Sequence, residues 1–309
     1  MRTVVFDLPM RLRFRGQRRR AGVLVHGPAG WGEFSPFPDY DARTCARWLA
    51  AAREAAEQGW PDPVRDVVPV NTTIPAVDAE QAHALAAASG CTTAKVKVAE
   101  AGQSLRDDLA RVEAVRDALG PAGKLRIDAN GAWSVDEAVA ALQQLDAFEL
   151  EYAEQPVRTL EEMAMLRRRT DVRLAADESV RTAADPLRVR GLEAADVVVL
   201  KVQPLGGVRR CLEVAAACGL PVVVSSAVET SVGIAAGVAL AAALPELPFA
   251  CGLGTVQLLA RDVTREPLVP VQGMLPVRRV EPDLDLVHAD ADTRAWWLAR
   301  MQAAADAAA

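Results

Sequence analysis

Five charged residues stand at the ends of five successive apolar, β-branched segments of this chain. In chain order they are a lysine, an aspartate, a glutamate, an aspartate and a lysine: Lys97, Asp128, Glu154, Asp177 and Lys201. Three carboxylates brought together repel one another unless a cation lies between them. Oxygen ligands without a nearby cysteine or histidine select a hard ion, and three carboxylates that leave positions for water and substrate suit Mg²⁺, with Mn²⁺ as a substitute. The pattern therefore predicts a magnesium site at Asp128, Glu154 and Asp177.

The scarcity of lysine predicts a general base at the same place. Only four of the 35 basic residues are lysine, and three of them stand at segment ends, namely Lys95, Lys97 and Lys201. In a strand, Lys95 and Lys97 point to the same face. Each ammonium group would lower the pKa of the other, and burial would lower both pKa values further. A lysine can then become neutral and take a proton, whereas an arginine stays protonated. A base beside a Lewis-acidic metal suits removal of a proton from the carbon next to a carboxylate, through an enediolate.

Other common catalytic arrangements are missing from the segment ends. The three histidines, His26, His83 and His288, lie outside them, which excludes a histidine base and a Ser-His-Asp triad. A lysine Schiff base at Lys97 or Lys201 would not need three carboxylates. The chemistry that remains is metal-assisted proton abstraction.

The segments that carry these residues predict an α/β fold, a TIM-type (β/α)₇β barrel. Short β-branched runs alternate with Ala/Leu/Arg-rich stretches of helical periodicity, and each interval is the length of one strand–helix unit. About eight such units close a barrel, whose strands converge on one site at their carboxyl ends. There Lys201, four strands on from Lys97, would face it across the mouth. A doubly wound open sheet is the alternative, but no Gly-x-Gly-x-x-Gly follows the first strand.

Residues 1–66 predict a small α+β capping domain, which the tail 276–309 completes, around a barrel domain at 67–275. Two strand-like runs flank the basic turn RGQRRR, and an amphipathic helix is expected from about 41 to 58. The tail offers a further strand-like run, PVRRV, and its last residues are expected to fray. The basic cluster, which runs from Arg11 to Arg20 and includes Arg15, reads as a solvated turn or a loop over an anionic substrate.

Composition limits the partners and the compartment. A net charge of −6 argues against nucleic acid as a partner. The longest uncharged apolar run, residues 233–244, is too short for a membrane span, and the N-terminus lacks the core of a secretion signal. Five scattered cysteines without a Cys-x-x-Cys motif are typical of reduced thiols. We expect a cytoplasmic monomer that acts on a small anionic substrate.

Five motifs together resemble the enolase superfamily, in its muconate-lactonising branch. They are AKVKV (94–98), RIDANGAW (126–133), EYAEQP (151–156), ADES (176–179) and LKVQP (200–204). Within the branch, WGEFSPF (31–37), SSAVETSVG (225–233) and CGLGTVQLL (251–259) resemble the actinobacterial enzymes that form o-succinylbenzoate. The resemblance implies loss of water from a succinyl-hydroxycyclohexadiene carboxylate, a step of menaquinone synthesis.

The resemblance also implies a role for each motif residue. Asp128, Glu154 and Asp177 would bind Mg²⁺, Lys97 would be the base, and Lys201 would stabilise charge on the opposite face of the ring. Lys95 would hold the substrate carboxylate. The remaining pocket residues would be Asn130, Ser225, Ser226 and Gly252.

Three alternatives remain open. Two lysines on opposite faces also serve an N-succinylamino acid racemase or a dipeptide epimerase. Dipeptide epimerases of this branch usually carry Asp-x-Asp at the eighth strand, where this chain has GLGT (252–255) without an acid. A non-catalytic binding barrel would not need the five charged segment ends to be intact.

Overall fold

The computed structural model describes residues 2–14, 16–181 and 187–308. The chain begins with a three-stranded antiparallel sheet formed by β1 (Arg2–Phe14), β2 (Gln17–Gly27) and β3 (Gly30–Phe34). Helix α1 (Ala42–Arg53) follows and continues as a wider, π-type turn over Glu54–Gln58, so the helix expected at 41–58 is confirmed. Strand β3 lies in the glycine- and aromatic-rich stretch around residues 31–37, for which the sequence did not predict a strand.

A curled parallel sheet follows, in which each strand pairs with the next one along the chain. After the short strand β4 (Val67–Pro69), its members are β5 (Thr72–Ile74), β6 (Thr93–Lys97), β7 (Lys124–Asp128), β8 (Leu150–Glu154), β9 (Leu174–Ala176), β10 (Val197–Leu200) and β11 (Val222–Val224). The strands are largely buried and rich in apolar residues, as parallel strands covered by helices require, but Lys95 in β6 and Arg126 in β7 are buried charged residues.

Several of the helices between the strands begin at a capping side chain. In chain order, the helices between the strands are α2 (Ala79–Ala88), α3 (Leu105–Leu119), α4 (Val135–Leu145), α5 (Leu160–Arg167), α6 (Glu178–Arg181), α7 (Arg188–Gly191), α8 (Val202–Leu205), α9 (Val208–Cys218) and α10 (Ser231–Ala243). At α4, Ser134 and Glu137 form a reciprocal capping box, and Thr159 and Glu162 do the same at α5. No helix of the described residues is long and apolar enough to cross a membrane.

Cys251 and Gly252 close the ring between the last and first strands. Cys251 N donates to Pro69 O (2.7 Å), and Asn71 N donates to Cys251 O (2.9 Å). On the other side, Gly252 N donates to Val224 O at 2.8 Å. The predicted TIM-type barrel with a final, eighth strand segment is therefore confirmed.

The tail differs from its prediction in detail. Strand β12 (Met274–Pro276) pairs antiparallel with β4, and of the run PVRRV (276–280) only its first residue, Pro276, belongs to a strand. Instead of fraying, the last residues belong to helix α11 (Ala291–Asp306), which contacts α1, β1 and β2. Trp297 anchors this helix by an edge contact with Phe34, with ring centroids 6.1 Å apart. One buried tryptophan gives the alanine-rich helix an apolar attachment that its composition does not reveal.

Candidate active site

The carboxyl ends of the parallel strands surround a cavity of about 670 Å³. The sequence-predicted residues in its wall are Lys95, Lys97, Asp128, Asn130, Lys201, Ser225, Ser226 and Gly252. Glu154 and Asp177 are not part of the wall, but each is buried against a lysine that is. The strands thus bring all ten predicted residues to one end of the barrel.

Strand register places the first charged residues side by side. Lys97 pairs with Asp128 across β6 and β7, and Asp128 pairs with Glu154 across β7 and β8. Lys95, two residues before Lys97, lies on the same face, and its Nζ reaches Asp128 Oδ2 (2.8 Å) and Glu154 Oε1 (2.6 Å). Its ammonium group therefore bridges two carboxylates.

Lys97 contacts both the strand end and the turn that follows it. Its Nζ lies 2.5 Å from Asp128 Oδ2 and 2.6 Å from Asn130 Oδ1. Asn130 adopts a left-handed backbone (φ 48°), which asparagine tolerates better than most residues, and the turn aims its amide back at the lysine. The ring of Phe14 lies 5.6 Å from Lys97 Nζ on the cavity side.

Lys201 forms a separate ion pair with Asp177, at the ends of strands β10 and β9. Its Nζ lies 2.5 Å from Asp177 Oδ2, and both side chains are buried. Gln155 fixes the turn that carries Asp177, because its Oε1 accepts hydrogen bonds from the backbone N–H groups of Asp177 (3.0 Å) and Ser179 (3.1 Å). Sequence reasoning missed this glutamine, although it lies inside the quoted EYAEQP motif.

The electrostatics separate the two neighbouring lysines. Burial and the charge of Lys95 lower the pKa of Lys97, against the opposing effect of Asp128. Burial also acts on Lys95, but the charges of Asp128 and Glu154 outweigh it and hold the pKa of Lys95 well above its usual range. The expectation that each lysine lowers the other's pKa is correct for Lys97 and wrong for Lys95, because Lys95 touches two carboxylates.

The carboxylates respond in opposite directions. Lys95 and Lys97 outweigh burial at Asp128 and keep the pKa of that carboxyl well below its usual range. At Glu154, burial and the negative charge of Asp128 raise the pKa to about 7. Positive charge therefore compensates Glu154 less fully than it compensates Asp128.

The donor set fits a hard divalent cation. Glu154 Oε2 is buried and has no hydrogen-bond donor among the described residues. An oxygen with that environment next to two further buried carboxylates is what a hard cation binds. As they stand, the described acidic, histidine and cysteine side chains form no ready-made metal cage, since ammonium groups join the carboxylates.

The eighth strand segment packs closely against the end of β11. A Cβ atom added to Gly252 would lie 2.5 Å from Ser225 Oγ and 3.2 Å from Ser225 Cβ. Beside this contact, the hydroxyls of Ser226 and Thr255 share a hydrogen bond of 2.7 Å. The glycine is needed here for space, and an acidic side chain at its position would collide with Ser225.

The N-terminal sheet supplies a wall that sequence reasoning did not assign residue by residue. The end of β1 lines the cavity with Leu12, Arg13 and Phe14. Elsewhere in the basic cluster, Arg19 pairs with Asp7 at the surface, Arg20 is buried, and Arg15 lies outside the described residues. The arginine-rich sequence indicated that this region could cover an anionic substrate. It did not indicate which of its residues line the cavity.

Comparison with known proteins places the chain in a family. The family model described as enolase C-terminal domain-like matches residues 77–282, and the enolase N-terminal domain-like model matches residues 5–56. The chain therefore belongs to the enolase superfamily, whose enzymes generally depend on a divalent metal.

Relatives at high identity define the particular family. The o-succinylbenzoate synthase of Thermobifida fusca is 66% identical over 300 residues, which cover 97% of this chain and 94% of the relative. The o-succinylbenzoate synthase of Mycolicibacterium smegmatis is 54% identical, with 96% and 93% covered. The chain is accordingly a member of the o-succinylbenzoate synthase family.

Solved structures at lower identity share the fold. Muconate lactonizing enzyme from Pseudomonas fluorescens matches with a TM-score of 0.77 at 24% identity, covering 96% of this chain and 97% of that one. The L-Ala-D/L-Glu epimerase of Bacillus subtilis matches with a TM-score of 0.77 at 23% identity, covering 92% and 96%.

Proposed function

We propose that this protein removes water from 2-succinyl-6-hydroxy-2,4-cyclohexadiene-1-carboxylate to give o-succinylbenzoate in menaquinone biosynthesis. It would be a hydro-lyase, as the curated names of its close relatives indicate. The observation that carries the proposal is the set of three lysines in one cavity wall, each in contact with a buried carboxylate.

Lys97 is the base of the proposed reaction. Burial and Lys95 lower its pKa, and the side chain opens onto the cavity. Its Nζ takes the proton from the carbon next to the ring carboxylate, and the electrons of that C–H bond pass into the carboxylate to form an enediolate. The C–O bond of the hydroxyl then breaks, the electrons complete the aromatic ring, and Lys97 returns its proton to the departing oxygen, which leaves as water.

Lys201 and Lys95 hold charge during this sequence. Lys201 reaches the cavity from β10, four strands from Lys97, where a cation stabilises the negative charge that develops on the ring. Lys95, whose pKa is well above its usual range, stays protonated and holds the substrate carboxylate. Asn130, Ser225, Ser226 and Gly252 also line the pocket and would contact the substrate.

Asp128, Glu154 and Asp177 are the residues that would hold Mg²⁺, or Mn²⁺ in its place. The unpartnered, buried Glu154 Oε2 supports this assignment. The ion would supply a Lewis acid for the substrate carboxylate. Asp128 and Asp177 also position the two lysines through their Oδ2 atoms.

A second activity, racemisation of N-succinylamino acids, is favoured by one observation. Both Lys97 and Lys201 line the same cavity, so each could exchange a proton with a carbon held between them. The dipeptide epimerase alternative is disfavoured, because Gly252 has no room for the acidic side chain that such enzymes carry. We further propose a cytoplasmic location, on the basis of the free, scattered cysteines, and a monomeric state.

One preparation tests these proposals together. Turnover of the cyclohexadiene substrate is followed by the absorbance of the aromatic product, and racemisation of N-succinylamino acids is followed by polarimetry, each with and without Mg²⁺. We expect metal-dependent dehydration to be the faster reaction. Racemisation without dehydration would replace the proposed function, and ligand binding without either reaction would support a non-catalytic barrel.

A further inference from the structure

The segment between β11 and α10, residues 225–230, forms one wall of the cavity. Ser225, Ser226, Ala227 and Val228 all line it. Val228 has a left-handed backbone with φ 64°. A β-branched residue rarely adopts this conformation, because its Cβ substituents crowd the backbone, so surrounding contacts must hold it there.

Arg20 supplies those contacts from the N-terminal sheet. Its side chain is buried, and its Nε donates to Val228 O at 2.9 Å while Nη2 lies 3.3 Å from Ala227 O. The same Nη2 donates to Ser35 O at 2.7 Å, and the guanidinium stacks 4.6 Å from the centre of the Phe37 ring. One planar group therefore joins the β11–α10 segment to Ser35 and Phe37, and Phe37 also lines the cavity.

Glu33 fixes the other end of the segment. Its carboxylate accepts from Thr230 Oγ1 (2.5 Å), Thr230 N (3.1 Å) and Gly233 N (3.0 Å) at the start of α10. Because Glu33 holds Thr230 and Arg20 holds Ala227 and Val228, the segment is tied at two points to residues distant in sequence. Lysine could not replace Arg20 well, since it lacks the planar fork that reaches two carbonyls in fixed directions.

We propose that Arg20 is a positioning residue that keeps Val228 in its left-handed conformation and thereby sets the cavity wall at residues 225–228. Arg20 acts through the backbone of this segment and does not touch substrate. The expected effect of Arg20 on catalysis rests on the proposed function. The expected effect of Arg20 on the conformation of residues 225–228 rests on the geometry alone.

The kinetic test compares Arg20→Met with Arg19→Met. Arg19 is the matched control, because it lies next to Arg20 on β2 but is mainly exposed and pairs with Asp7 at the surface. We expect kcat/KM for the dehydration to fall about 100-fold in Arg20→Met, through misplacement of the wall. It should change by less than about twofold in Arg19→Met.

The Val228→Gly background distinguishes positioning of the segment by Arg20 from a general contribution of Arg20 to stability. A general contribution would give the same loss of kcat/KM in both backgrounds. Glycine adopts a positive φ without strain, so the segment needs less restraint in this background. The loss caused by Arg20→Met, measured against Val228→Gly alone, should shrink to about tenfold or less. An equal loss in both backgrounds would overturn the proposal.

Hydrogen exchange tests the geometry without any activity. Two backbone amides report on the segment: that of Ser226, which donates to Gly252 O, and that of Thr230, two residues after Val228, which donates to Glu33. Both should exchange faster in Arg20→Met and at the wild-type rate in Arg19→Met. Unchanged exchange would refute the positioning role, whereas a wild-type protein that fails to dehydrate the cyclohexadiene would refute only the proposed function. If Arg20→Met does not fold, Arg20→Lys takes its place in both measurements, with the same comparisons deciding the outcome.

Discussion

Replacing Gly252 with alanine perturbs the closure of the barrel at the cavity wall. The backbone there suits any residue, so the cost comes from space alone. The new Cβ would lie 2.5 Å from Ser225 Oγ and 3.2 Å from Ser225 Cβ, and both distances are shorter than an ordinary van der Waals contact. Rotation of the serine hydroxyl relieves the first contact but leaves the second.

The expected cost follows from how tightly the two segments are joined. Gly252 N donates to Val224 O at 2.8 Å, and Ser226 N donates to Gly252 O at 3.1 Å, so the backbones cannot separate without losing ring-closing bonds. Overpacking by one methyl group in such a place costs about 1–3 kcal/mol of unfolding free energy. Because Ser225, Ser226 and Gly252 line the cavity, the same shift should raise KM for the cyclohexadiene substrate.

Denaturant unfolding of a double-mutant cycle measures this contact. Gly252→Ala and Ser225→Ala are made singly and together, because removing Ser225 Oγ removes the closest clash, and the double variant should recover about 1 kcal/mol relative to the sum of the single changes. Gly191→Ala is the control, since its Cβ would meet nothing within 4 Å. Strictly additive effects, or a Gly252→Ala protein as stable as Gly191→Ala, would refute the steric argument.

Three further predictions concern the charged cluster. Activity should be lost on exhaustive chelation and restored by Mg²⁺ or Mn²⁺, and full activity after chelation would exclude the metal role. The kcat of Asp177→Asn should fall about 1,000-fold while its circular dichroism spectrum stays that of the wild type. Lys97→Arg keeps the charge but not the base, so kcat should fall by about 1,000-fold or more, and a fall of less than tenfold would make Lys97 an electrostatic anchor only. Lys201→Arg keeps a cation at the ring face, so dehydration should persist with a loss of about 100-fold, while any racemase activity disappears. If both activities of Lys201→Arg fall by the same factor, the one-base assignment to Lys97 is wrong.

The barrel was predictable because its signals are local and repeated. A β-branched run ending in a charged residue, followed by a helical stretch, is visible in the sequence around Lys97, Asp128 and Lys201. Helix α11 was not predictable in the same way, because its stability depends on Trp297 meeting Phe34, nearly the whole chain away. The domain boundaries at 66 and 276 stay predictions.

Part of the site was predictable for the same reason, and part was not. Strand ends in a parallel barrel must converge, so the grouping of Lys95, Asp128 and Glu154 follows from topology. The contribution of Arg20 does not, since no pattern in β2 distinguishes it from Arg19. Only the packing of the N-terminal sheet on the β11–α10 segment buries one arginine and exposes the other.

The sequence argument about repulsion also needs a physical refinement. Three carboxylates were expected to require a metal cation, yet Lys95, Lys97 and Lys201 already pair with Asp128, Glu154 and Asp177, so these ammonium groups offset part of the negative charge. A divalent cation bound there would add two positive charges, and the proposed substrate carries two carboxylates. In this arrangement the cation and the dicarboxylate would each reduce the electrostatic cost of binding the other. In the proposed reaction the lysines would therefore not replace the metal; they would reduce the excess charge left when the metal and a doubly charged acid bind together.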